Sequence, residues 1–185
     1  MVNVNLRGLL NYGPTGNDIT NDITATWVLN IPYFRHSRKL LALTLGNWCF
    51  AGLALYESGN ALNPGLATGR NGLASRPNQV APIKQVGSLK EWFSTNSFAA
   101  PKYGFYGDAR NGSIRGPGYL SLNTDLYKTF PITTRLNLQF RAEAFNVANH
   151  PNFGGVSTGL GSGDYGQVTN ADKPRILELA MKVIF

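Results

Sequence analysis

Residues suited to chemistry are few and scattered. Gly159-Leu160-Gly161-Ser162-Gly163 has the glycine density of a phosphate-cradling loop, but no Lys-Ser/Thr pair follows it and no helix pattern stands behind it. A flexible connection accounts for the run. Asp164 and Asp172 could offer carboxylates to a hard cation, yet their spacing matches no compact calcium loop. His36 falls beside a predicted inner turn and His150 in a predicted outer loop, so the two make no zinc set. Serines occur without a nucleophile elbow, and Glu57, Glu91, Glu143 and Glu178 show no acid/base spacing. The expectation is therefore no catalytic residue, no metal site, no cofactor and no enzyme.

A second constellation is aromatic and basic. Trp92, Phe93, Tyr103, Phe105 and Tyr106, with Phe98 nearby, are interspersed with Lys84, Lys90, Lys102, Arg110 and Arg115. Such groups could stack on sugars or bases and form a ligand loop. They could equally let a long loop pack on itself, which is the favoured reading because no compact nucleic-acid motif accompanies them. Seventeen basic and ten acidic residues give +7, a charge that attracts nucleic acid, anionic lipid or lipopolysaccharide without choosing among them. No nucleic-acid partner is expected.

The elements that must position these groups follow from composition and period. The chain has 185 residues, 21 Gly, 10 Pro and 19 Asn, with 43% hydrophobic but only 15% charged residues. Soluble domains carry roughly 25% charged residues, so much of this exterior need not face water. Cys49, the single cysteine, lies in an apolar run and excludes an internal disulfide; packing in a core or against lipid suffices to explain it. The start, Met1 to Arg7, lacks the basic opening and apolar stretch of a secretory signal, so an export signal is expected elsewhere and Met1 is not expected to be the natural beginning.

Alternation at period two is clearest where Leu136, Leu138, Phe140, Ala142 and Ala144 interleave with Arg135, Asn137, Gln139, Arg141 and Glu143. The run from Leu177 to Phe185 repeats it, with Leu177, Leu179, Met181, Val183 and Phe185 on one side and Glu178 and Lys182 on the other. Weaker strands cover Leu120–Phe130, with Thr124 and Lys128 in the apolar row, and Ile23–Ile31; Val2–Leu10 is a further candidate. The apolar run Leu40–Tyr56 is too short and too polar for a membrane helix, which needs about 20 apolar residues. It reads as a strand with Trp48, Phe50, Ala54 and Tyr56 on one face. The total is about six strands.

Connections alternate in length: modest at Pro32–Lys39, very long over residues 59–118, tight at Pro131–Thr134 and long over 147–174. Short turns facing the periplasm and long loops facing outside are the layout of outer-membrane barrels, with apolar residues outward and polar ones toward the lumen. The pattern predicts an all-β, antiparallel transmembrane β-barrel segment over residues 1–185, with extracellular loops at 59–118 and 147–174 and a terminal strand at 174–185. Arg135, Asn137, Gln139, Arg141, Glu143, Glu178 and Lys182 are expected to face the lumen, with Arg141 or Glu143 opposite Glu178 or Lys182. A small soluble β-sandwich binding carbohydrate or another surface ligand is the first alternative, and a basic nucleic-acid-binding module the second. A sandwich, however, does not call for segregated loop lengths.

The segment Leu138–Phe153, with Phe145-Asn146-Val147-Ala148-Asn149-His150-Pro151-Asn152 at its centre, resembles the penultimate strand and loop of TonB-dependent outer-membrane receptors of the Oar-like subgroup. Further matches in the family's order are Gly46-Asn47-Trp48 through Gly52 to Ser58-Gly59, Arg76-Pro77-Asn78, Asn96-Ser97-Phe98, Arg115-Gly116-Pro117-Gly118 and Pro174-Arg175-Ile176 to Phe185. The resemblance covers most of the chain from Asp22 onward. It implies the C-terminal part of a larger nutrient transporter in the bacterial outer membrane, whose plug, TonB-contacting box and earlier strands lie elsewhere. A complete barrel of this kind has about 22 strands, so six strands alone leave open edges, and an isolated copy is expected to aggregate or to need the remainder. The last strand resembles the signal read by the barrel-assembly machinery, carried by Leu177, Leu179, Met181, Val183 and Phe185 through strand pairing. The implied partners are outer-membrane lipid, that machinery, the rest of the barrel with its plug, and TonB through the plug.

Overall fold

The computed structural model describes residues 11–32, 39–67 and 76–185. The candidate strand Val2–Leu10, His36 and the basic residues Arg35 and Arg38 lie outside them. The elements run β1 (Asp22–Ile31), α1 (Lys39–Leu45), β2 (Trp48–Glu57), β3 (Ala61–Leu62), β4 (Gly65–Leu66), β5 (Asn78–Gln79), β6 (Phe98–Ala99), β7 (Ile114–Arg115), β8 (Tyr119–Pro131), β9 (Asn137–Phe145), β10 (Phe153–Val156), β11 (Gly159–Leu160), β12 (Val168–Ala171) and β13 (Ile176–Ile184).

Two compact units result. One of them, the wall, comprises Ile23–Tyr56, Leu120–Pro151 and Lys173–Phe185. Its strands form one five-stranded sheet in the order β1-β2-β8-β9-β13. Antiparallel pairing sets Leu126, Lys128 and Phe130 of β8 opposite Ala142, Phe140 and Leu138 of β9. The next ladder sets Ala142, Phe140 and Leu138 opposite Leu179, Met181 and Val183 of β13. Because side chains alternate across a strand, this register carries one apolar row through three strands. Trp48 meets Phe140 edge-on at 6.1 Å and Trp27 lies 6.2 Å from Phe50, which extends the row across β2 and β1. Gly52 makes room for this, since a Cβ there would run into the Trp27 ring. Among the described residues the sheet is not closed, and β1 and β13 stand at its two edges.

The apolar run Leu40–Tyr56, read above as one strand, divides in two. Residues 39–45 form α1, and the strand starts only at Trp48. Leu-Leu-Ala-Leu is good helix sequence, Thr44 donates its hydroxyl to the Leu40 carbonyl at 2.8 Å, and Asn47 ends the turn at a φ of 58°, the left-handed position that Asn and Gly occupy after helices. No helix among the described residues is long and apolar enough to cross a membrane.

The second unit contains the chain up to Asp22 with Glu57–Tyr119 and Asn152–Asp172. Its short ladders join distant segments: β3 with β7, β5 with β6, β10 with β12, and β4 with β11 in parallel. Trp92, Phe93, Phe98, Ala109 and Ile114 form its core, flanked by Leu62, Ile83, Phe153, Val156, Tyr165 and Val168. Phe93 is 1% exposed and meets Tyr165 edge-on at 5.5 Å and Phe98 at 6.1 Å. The amide of Trp92 donates to the Gly166 carbonyl at 2.7 Å and that of Val168 to the Leu89 carbonyl at 2.9 Å, tying the two long connections together. Asp18 is held by Arg115 through its carboxylate and its carbonyl.

Candidate functional site

The wall's two faces differ in chemistry. On the apolar face, Leu177, Leu179, Met181 and Val183 are 69%, 76%, 73% and 56% exposed. Among the described residues these oily side chains meet no second sheet in a dry centre, as a sandwich requires. Phe185, which follows β13, is 98% exposed.

On the opposite face, Arg141 sits at the middle of β9. It makes ion pairs with Asp125 of the neighbouring strand and with Glu143 two positions along its own, the latter at 3.0 Å. Its guanidinium lies 5.8 Å from the Tyr127 ring, and Tyr127 is directly opposite Arg141 in the ladder. One cation thus serves two carboxylates and an aromatic face, an arrangement that fixes the polar row in place. Gln139 donates to the Thr129 hydroxyl at 3.3 Å. Cys49 is buried between Trp48 and Phe50 in sequence and so points to the face opposite theirs.

The residues read as lumen-facing are only partly brought together. Glu143 stands directly opposite Glu178 and Gln139 opposite Lys182, while Arg141 faces Ala180. The expected pairing of Arg141 or Glu143 with Glu178 or Lys182 therefore gives way to Arg141 with Asp125, because the register brings like charges, not opposite ones, face to face at Glu143 and Glu178. Asn137 opens β9 opposite Ile184. Arg135 lies before β9, in the exposed turn where the amides of Ile132 and Thr133 donate to the Leu136 carbonyl at 2.9 and 3.0 Å. Of the residues read as a ligand loop, Trp92 and Phe93 are core, Tyr103 and Phe105 are exposed, and Tyr106 is intermediate.

Two features escaped the sequence reading. Lys128 occupies the apolar row yet is only 2% exposed. Its Nζ donates to the carbonyls of Ala42, at 3.3 Å, and of Gly46, and lies 5.1 Å from the Phe130 ring and 5.8 Å from Trp48. A charge on an otherwise oily row was the available signal. The second feature is Asn146, at a φ of 50°, whose side-chain amide donates to the His150 carbonyl at 2.9 Å and accepts from its amide at 3.0 Å. The Asn146 amide reaches the Asn123 side chain at 2.9 Å, the Val147 amide the Leu122 carbonyl at 2.8 Å, and the Arg175 amide the Asn149 side chain at 3.1 Å. This clasp joins β8, β9 and the approach to β13, so His150 belongs to a structural turn.

In the second unit, the Ser162 and Ser157 hydroxyls hold the Asp164 carboxyl below the usual carboxylate range, Ser157 donating at 3.0 Å. The glycine run around it forms β11 and a turn. Among the described residues no group of three or more His, Cys, Asp or Glu side chains converges as a metal site would require. Burial pushes the Tyr165 phenol up to about 12.

No curated protein and no solved structure matches the chain. A family model described as an outer membrane beta barrel domain matches residues 2–178, nearly its whole length. Together with an antiparallel sheet whose strands carry apolar residues on one face and polar ones on the other, this settles the broad class and points to the bacterial outer membrane: the chain belongs to the outer membrane beta barrel domain family.

Proposed function

We propose that the chain supplies the C-terminal wall and external loops of a TonB-dependent transporter of the Oar-like kind, acting in nutrient uptake and not in catalysis. The observation that carries this reading is that the sheet formed by the described residues is open. With β1 and β13 at its edges, unpaired backbone groups would face hydrocarbon at a cost of several kcal/mol each, and further strands are the physical remedy. The smallest common outer-membrane barrels close with about 8 strands, more than the five described here. The ordered sequence matches from Gly46 to Phe185 favour the transporter family over other barrels.

In this reading the polar row around Arg141 borders the plug, the apolar row meets lipid, and TonB acts through the plug. The exposed edge of β13 pairs with the barrel-assembly machinery while Leu177, Leu179, Met181, Val183 and Phe185 provide apolar contacts. Surface abundance in cells tests the assembly role. Deleting Phe185 is expected to lower outer-membrane insertion more than Phe130→Ala does; equal surface levels would remove the assignment. Uptake that persists after loss of TonB would overturn the transporter reading while leaving the wall intact.

A further inference from the structure

Helix α1 is tied to the apolar row of the wall through Lys128. Lys128, which grips its C-terminal end, shares a cross-strand row with Phe140 and Met181. Lys128 is also three residues from the end of β8 at Pro131, about 10 Å along the strand, so the grip lies near the rim formed by the tight turn at Ile132–Leu136.

The carbonyls at this end of α1 are unusually well supplied with donors. Ala42 O accepts from the Gly46 amide at 3.2 Å and from Lys128 Nζ at 3.3 Å, Gly46 O accepts from Lys128, and Thr44 O accepts from the Trp48 indole at 3.0 Å. In water a helix end finds such partners in solvent; where lipid excludes water the protein must provide them. A cation at the C-terminus also complements the helix dipole.

The outward side of α1 completes the pattern. Leu40, Leu43 and Thr44 are exposed and share one face at spacings of three and four, and the Thr44 hydroxyl is already satisfied by Leu40 O. The face therefore presents hydrocarbon and no unpaired polar side-chain group. In sequence Lys39 opens the helix, with Arg35 and Arg38 just before it, the cation-then-apolar order of segments that settle among anionic headgroups.

We propose that α1 is an interfacial foot: Leu40 and Leu43 enter the phospholipid of the periplasmic leaflet, continuous with the wall's oily row, and Lys128 pins the helix there. The proposal rests on the wall reading and not on transport. The test uses outer-membrane vesicles from cells producing the full protein, with a photoreactive benzophenone side chain replacing Leu43 and, separately, Leu179 or Ser162. After irradiation, mass spectrometry is expected to find phospholipid adducts at Leu43 and lipid adducts at Leu179, with none at Ser162. Lys128→Met is expected to abolish the Leu43 adduct and spare the one at Leu179. Protein, lipopolysaccharide or no adducts at Leu43 beside lipid at Leu179 would overturn the foot alone, as would a Leu43 adduct unchanged by Lys128→Met. Absence of lipid adducts at both Leu43 and Leu179 would overturn the wall reading as well.

Discussion

The wall and the loop unit use the same residue types in opposite senses. In the loop unit Phe93 is 1% exposed, whereas in the wall Leu179 is 76% exposed. The loop unit has a conventional core in which aromatics meet edge-on, while the wall leaves its apolar row on β13 exposed and gathers Arg141, Asp125 and Glu143 on the other face. In the proposed reading, burial in one region and exposure in the other express a single rule, that apolar surface avoids water, applied against two different surroundings.

Substitutions sharpen the contrast. The largest effect is expected for Phe93→Ala, which opens a cavity beside Phe98 and Tyr165 and should cost about 3–5 kcal/mol, read as protease sensitivity of the loop unit with the wall still protected. Next comes Leu179→Arg at the middle of β13, expected to cost about 2–4 kcal/mol in a bilayer; in folding titrations from lipid, a neutral result would break the comparison. Arg141→Leu leaves Asp125 and Glu143 without their shared cation and should cost about 1–3 kcal/mol, measured in the same titrations.

The smallest effect is titration of Tyr165. Its phenol is raised from 10.0 to about 12 by burial, so the folded form prefers the neutral group. The resulting stability is complete below pH 10 and is lost as pH climbs toward 12. Tyr165→Phe should remove that dependence from the loop unit's alkaline unfolding curve.

The wall was legible because period two needs only local sequence: Leu138 to Ala144 and Leu177 to Val183 state their faces without reference to anything distant. Register was not. Whether Arg141 meets Lys182, Glu178 or Asp125 depends on hydrogen-bond alignment, which a shift of one residue reverses. Arg135 was misplaced because the alternation runs on into the turn, and α1 was missed because Leu40–Leu45 suits a helix as well as a strand. The loop unit was least legible, since β4 pairs with β11 across a long span of chain and its glycines carry no periodic signal.

Spin labels placed singly along β13 from Leu177 to Ile184 in lipid vesicles, with Cys49 replaced, test the outward row most directly. Accessibility to oxygen should peak at Leu177, Leu179, Met181 and Val183, and accessibility to a water-soluble nickel chelate at Glu178, Ala180 and Lys182. Alternation of the opposite sense, or labels at the four apolar positions immobilised and shielded from both reagents, would contradict it.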